Sequence, residues 1–161
     1  MRYRKKDILT GVVLLALSLG AGAVGSIATS MSVNDWYLQL ARPEWNPPSW
    51  VFAPVWTFLY IAMAAAAWLY VVRAGSLSAA SRGLTLFGVQ LALNAAWSWL
   101  FFGFRAPGAA LVEIVFLWVA ILATTREFIA MRRLAGWLMV PYLLWVSFAA
   151  LLNAAIWRLN L

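Results

Sequence analysis

A chain of 161 residues that is 65% hydrophobic and only 11% charged is too apolar to bury itself, since an ordinary soluble domain is about half apolar and a quarter charged. Lipid must cover the surplus, which excludes a soluble fold and leaves one integral membrane domain over residues 1–161. Cysteine and histidine are absent, removing disulfides, the usual zinc ligands, thiolate or imidazole ligation of haem iron and the commonest general base; the net charge of +7 sits at the ends of apolar runs, so no nucleic-acid partner is expected.

The first apolar run covers 8–29. About 20 such residues suffice to cross hydrocarbon as a helix, the form in which a backbone satisfies its own hydrogen bonds. "MRYRKKD" ahead of the run and "AGA" at 21–23 also have the form of a secretory leader with a small-residue cleavage site. The run continues past that point to Ile27 and Ala28, and Gly22 and Gly25 equally suit close helix packing.

The connection over 30–50 is the longest, with room for a structured cap. It ends in "WNPPSW" at 45–50. Pro47 and Pro48 lack backbone donors and restrict the residues before them, which stops a helix and stiffens the turn. Trp45 and Trp50 carry ring N–H groups that prefer a wet boundary while their faces prefer lipid or ligand. The elbow predicts a lid over the outer end of the bundle, with Arg42, Trp45, Pro47, Pro48 and Trp50 as its residues.

The second run, 51–72, sets Trp56 and Tyr60 one turn apart. The third, 84–104, repeats Gln90, Asn94 and Ser98 at four-residue spacing, one stripe with Trp97 beside it. Gly88, Ala92 and Ala96 form a second, small-residue stripe suited to close helix contact, within the bundle or between two copies. The fourth run, 109–125, is interrupted by Glu113, the one acid placed within a span. Ionised at mid-depth it would cost about 3 kcal/mol, so it reaches the headgroups or stays protonated, and a structural role is favoured over a proton relay. The fifth, 137–157, aligns Trp145, Ala149 and Asn153. The expected fold is all-α: a five-transmembrane-helix bundle with a structured first loop capping one end.

Arg2, Arg4, Lys5, Lys6, Arg73, Arg82, Arg126, Arg132 and Arg133 fall on the N-terminal side of this topology, and Arg42, Arg105 and Arg158 on the other. Nine of the 12 cations on one side put the N-terminus in the cytoplasm of a bacterial inner membrane, with the first loop and C-terminus outside. Among the amides, Gln90 and Asn153 read as glue between helices, while Asn94, beside Trp97, reads as cavity lining. Eleven tryptophans exceed what interfacial belts need and favour an aromatic cavity.

"WY" at 36–37, "RPEWNPPSWVFAPVWTFLY" at 42–60, "QLALNAAWSWLFFG" at 90–103, "PYLLW" at 141–145 and "LNAAIWRLN" at 152–160 together resemble the translocator protein family, TspO/MBR, formerly called the peripheral benzodiazepine receptor. The resemblance spans nearly the whole chain. It implies a five-helix fold, often a homodimer, whose pocket is capped by the first loop and binds tetrapyrroles such as protoporphyrin IX and haem, isoquinoline and benzodiazepine drugs and, in animal members, cholesterol. Bacterial members are linked to tetrapyrrole regulation and stress, and some degrade protoporphyrin IX in light. Carried onto this chain, Trp56 and Trp145 are the pocket tryptophans and the candidates for any photochemistry. Tyr37, Asn94, Trp97 and Ala149 are their neighbours, and Tyr60 joins them from the turn after Trp56. Protoporphyrin IX or haem is then a ligand rather than a required cofactor. The animal cholesterol motif needs a Tyr before the Arg near the C-terminus; "LLNAAIWR" at 151–158 has Ala154 and Ala155 there, which puts sterol binding in doubt.

Three functions follow from that resemblance: a tetrapyrrole-binding membrane sensor, a light- and oxygen-dependent porphyrin-degrading enzyme using the same pocket, and a small transporter of porphyrin, sterol or drug. The transporter is the weakest, since five spans do not divide into repeats and no charged midplane site is evident.

Overall fold

The computed structural model describes residues 4–161, and all regular structure among them is helical; Arg2, counted above for orientation, lies outside the described residues. Five segments are long and apolar enough to cross a membrane: Lys5–Ser30, Ser49–Ala74, Ser81–Gly103, Pro107–Met131 and Arg133–Leu159. They are built from α1 (Lys5–Ser30), α3 (Phe52–Ala74), α4 (Ser81–Ser98), α5 (Pro107–Met131), α6 (Arg133–Trp137) and α7 (Val140–Leu159), with the short α2 (Trp36–Gln39) in the first loop.

Several boundaries differ from the apolar runs, each for a local reason. After Pro48 a 3₁₀ turn over Ser49–Val51 leads into α3, so the elbow turns continuously into the span. Gly75, at φ 83°, ends α3 in the left-handed conformation that a residue without Cβ adopts freely. The fourth span runs six residues past the expected 125 because its charged end is satisfied: Glu127 pairs with Arg82 at 3.1 Å and accepts from the Tyr70 hydroxyl at 2.9 Å. Asp7 and Glu127 therefore also sit on spanning helices, at their ends, and Glu113 is not the sole acid there. The fifth span is two helices, broken at Leu138 and Met139 ahead of Pro141 in the first turn of α7. The third ends in a π turn over Trp99–Gly103, where the Phe104 N–H donates to the Trp99 carbonyl five residues back at 2.8 Å.

Lipid is as apolar as leucine, so packing and polar contacts rather than hydrophobicity join these helices. Tyr70 stacks on Phe128, centroids 4.6 Å apart, and Phe87 lies nearly parallel to Phe128 at 6.5 Å. Gly83 lets Tyr70 lie against α4, since a Cβ there would run into the ring. Gly22 and Gly25 take the packing role: α1 passes so close that a Cβ on Gly22 would meet the Tyr60 ring, and one on Gly25 would lie 3.0 Å from Ser98 Oγ. Gly88 and Ala92 are exposed, so the small-residue stripe on α4 is not spent inside the bundle.

The two ends are tied separately. At one, Trp68 Nε1 donates to the Asp7 carbonyl at 2.7 Å, near Tyr70, Arg82 and Glu127. At the other, Ser32 Oγ donates to the Phe102 carbonyl at 2.8 Å and Arg105 pairs with Asp35 at 3.3 Å. Asn160 brackets Ala41 there, accepting from its N–H at 3.0 Å and donating to its carbonyl at 2.9 Å. The first loop is thus pinned to the π turn and to the end of α7. Among buried polar atoms, Ser18 Oγ, both amide atoms of Gln90 and both carboxyl oxygens of Glu113 have no hydrogen-bond partner, so Gln90 gives no sign of the interhelical bond expected of it.

Candidate functional site

Beneath the first loop lies a cavity of about 580 Å³, walled by the loop and by α1, α3, α4 and α7. That volume is within the roughly 300–1,000 Å³ typical of small-molecule sites. Its aromatic wall is assembled from four places in the chain. On α3, Trp56 and Tyr60 stack one turn apart, centroids 5.6 Å and planes 28° from parallel. Trp56 also meets the buried Tyr142 ring edge-on at 6.2 Å. On α7, Trp145 packs edge-to-face on Phe52 at 5.9 Å and beside Phe148 at 5.5 Å, while Ala149, one turn on, leaves room in front of them. On α4, Trp97 stacks on Phe101 of the π turn at 5.2 Å.

Polar contacts hold these rings from behind. Tyr60 donates to Asn94 Oδ1 at 2.5 Å, and Asn94 Nδ2 donates to the Tyr142 hydroxyl at 3.0 Å. Asn94 is 3% exposed and stands behind the wall, not in it, because Tyr60 comes between its amide and the cavity. Ser98, one turn further along the same stripe, does reach the cavity. Asn153 accepts from Trp97 Nε1 at 3.1 Å and donates to the Pro107 carbonyl at 2.8 Å. It joins α7 to α4 and α5 as an interhelical amide and borders the cavity as well.

From the loop, Tyr37, Arg42 and Pro47 face the cavity. The Tyr37 hydroxyl donates to Asn46 Oδ1 at 3.1 Å, and the Arg42 guanidinium lies 5.4 Å from the Tyr37 ring centre. Burial pushes the Tyr37 hydroxyl above its ordinary pKa, with Arg42 and the Asn46 amide pulling partly back. Trp45, Pro48 and Trp50 do not reach the wall. Trp45 packs edge-on against Phe148 at 5.8 Å from outside, and Trp50 is 74% exposed, where a ring at a helix start meets the membrane boundary. Sequence reasoning missed Asn46, which lay inside the quoted elbow, and Phe101 and Phe102, one turn beyond Trp97. The aromatic run after Trp97 was their signal. Among the described residues no cluster of His, Cys, Asp or Glu is placed to hold a metal ion.

Residues 12–158 match the model of the TspO/MBR family. The chain is 43% identical over 155 residues to the tryptophan-rich protein TspO of Chlorobaculum tepidum, covering 96% of this chain and 98% of that one. It is 35% identical to a tryptophan-rich sensory protein of Cereibacter sphaeroides, over 92% and 91% of the two chains. To the translocator protein of Homo sapiens it is 42% identical, over 91% and 86%.

Proposed function

The chain belongs to the TspO/MBR family, and on that premise we propose that it is a membrane receptor or sensor that takes a tetrapyrrole, protoporphyrin IX or haem, or another planar apolar molecule into the cavity beneath its first loop. One observation carries this reading: rings from three helices and the loop border one cavity of about 580 Å³. A porphyrin is a flat apolar ring with two carboxylates. Indole faces stack on such a ring, and a guanidinium at the rim pairs with propionates; Trp56, Trp97, Trp145 and Arg42 are the groups for those tasks. With no histidine or cysteine in the chain, ring recognition dominates over ligation of haem iron. The name of the Cereibacter relative, a sensory protein, supports a sensing role.

A second reading, light- and oxygen-dependent breakdown of the bound porphyrin, draws on the stacking of Trp56 upon Tyr60. An indole with a phenol against its face is a suitable electron donor to an excited porphyrin, and Trp145 is the other candidate.

The excess of cations at the Asp7–Glu127 end supports a cytoplasmic N-terminus in a bacterial inner membrane. The exposed Gly88 and Ala92 support a homodimer through α4, which the mass of the detergent-solubilised protein, native and with Gly88→Leu, would test.

The test of the pocket is a titration of purified protein with protoporphyrin IX, followed by tryptophan fluorescence. Saturable quenching that weakens strongly in the Trp56→Phe, Trp145→Phe double variant is expected. Quenching that does not saturate, or is unchanged in the double variant, refutes the pocket. Illumination then separates the two readings: product formed by the native protein and lost in the double variant marks an enzyme, and an intact porphyrin marks a receptor.

A further inference from the structure

Resting on that pocket reading, we propose that the ligand enters sideways from the lipid, through a seam between α1 and α3, and not past the first loop. The cavity wall includes Ala23 and Ser26 of α1 and Ala53 and Thr57 of α3, and all four residues are exposed on the protein surface. Ser30, Arg42 and Ser49 at the loop end of the wall are exposed as well, so the cavity meets the surface at both places, and what must break at each decides between them.

The seam has the chemistry of a doorway onto hydrocarbon. Its side chains are small. Ser26 Oγ donates to the Gly22 carbonyl at 2.9 Å and Thr57 Oγ1 to the Ala53 carbonyl at 2.9 Å. Each hydroxyl is therefore satisfied by its own helix, and the seam turns methyl and methylene carbon toward the lipid. Below, Gly22 lies against Tyr60 and closes the gap.

The loop and the seam differ in what must break. Lifting the loop separates Asn160 from Ala41, Ser32 from Phe102 and Asp35 from Arg105. Among the described residues, no side-chain hydrogen bond joins the seam half of α1 to α3. The tie between these helices is Trp68 to Asp7, 19 residues from Ser26 and so roughly 28 Å along the helix. A tilt of α1 about that tie widens the seam without breaking a side-chain hydrogen bond between the two helices, and of the loop ties it loads only the one from Ser32 to Phe102.

The chain has no cysteine, so Ser26→Cys introduces a single thiol that a bulky maleimide converts into a plug. Ile27→Cys, at a neighbouring position that is 57% exposed and outside the cavity wall, carries the same label as a control. Both are labelled in detergent, reconstituted into vesicles and mixed rapidly with protoporphyrin IX while tryptophan quenching is recorded. The labelled Ser26→Cys protein should associate at least about tenfold more slowly than the labelled control. Asn160→Ala, which frees the loop, should leave the association rate unchanged. Equal rates for the two labelled proteins, or faster association in Asn160→Ala, overturn the lateral route. A native protein that shows no saturable quenching overturns the pocket reading itself, which keeps the two failures apart.

Discussion

The Tyr60 hydroxyl and the Asn94 amide oxygen, 34 residues apart in sequence, lie 2.5 Å apart, and the same amide reaches Tyr142 on a third helix. Both phenol rings bear on Trp56. One buried amide therefore sets the position of an indole it does not touch.

Asn94→Ala should strand two buried hydroxyls. An unsatisfied buried group costs about 1–3 kcal/mol, while hydrogen bonds between membrane helices average about 0.6 kcal/mol; a net loss of about 1–2 kcal/mol is expected on those grounds. Reversible unfolding in mixed micelles measures it. Protoporphyrin IX affinity should fall with it, although Asn94 is not part of the wall.

Asn160→Ala removes both bonds to Ala41. Because the site is exposed, global stability should drop by no more than about 1 kcal/mol. Local opening should rise instead, seen as faster amide hydrogen exchange over residues 35–46 with the spanning helices unchanged.

Two glycine-to-alanine changes should differ in sign. A Cβ on Gly136 would lie 2.8 Å from the backbone nitrogen of Ile129 and 2.9 Å from its Cα. Backbone cannot step aside as a side chain can, so Gly136→Ala should cost about 1–3 kcal/mol. Gly20 has nothing within 4 Å of that position, and Gly20→Ala should be neutral or stabilising by up to about 1 kcal/mol. Thermal unfolding of the two variants side by side is the check.

Tyr37 supplies a pH test. Burial holds its hydroxyl above the ordinary value of 10 in the folded protein. As pH rises, the unfolded chain loses this proton first, so folding then competes with ionisation of the unfolded state. The stabilising contribution should be constant below about pH 10 and decline above it. Comparing melting temperatures of the native protein and Tyr37→Phe between pH 7 and 11 isolates this residue; the variant should show the shallower alkaline decline.

The five spans were legible because apolar runs of membrane length admit one backbone solution. Their ends were less so. The extension of α5 to Met131 depends on Arg82 and Tyr70, from other helices, meeting Glu127, and no local pattern carries that. The break at Leu138 had a signal in Pro141, but the run stays apolar across it, and hydropathy alone carries the span straight through. Within the cavity, four-residue spacing correctly grouped Gln90, Asn94 and Ser98 on one stripe. It could not tell which of them looks into space, because that depends on a neighbouring ring: Tyr60 screens Asn94, and nothing screens Ser98. Trp45, Trp50 and Trp56 are alike as residues, and only the turn of the elbow separates the ring on the cavity wall from the two outside it.

The π turn at Trp99–Gly103 inserts one extra residue into a helical repeat, and it does so where Phe101 and Phe102 both face the cavity. Deleting a single residue there would let the helix close up into ordinary α geometry and swing one phenylalanine away, leaving the span intact. The shape of the slot is thus open to revision by the smallest possible change in chain length, a step that lineages can take without refolding the protein.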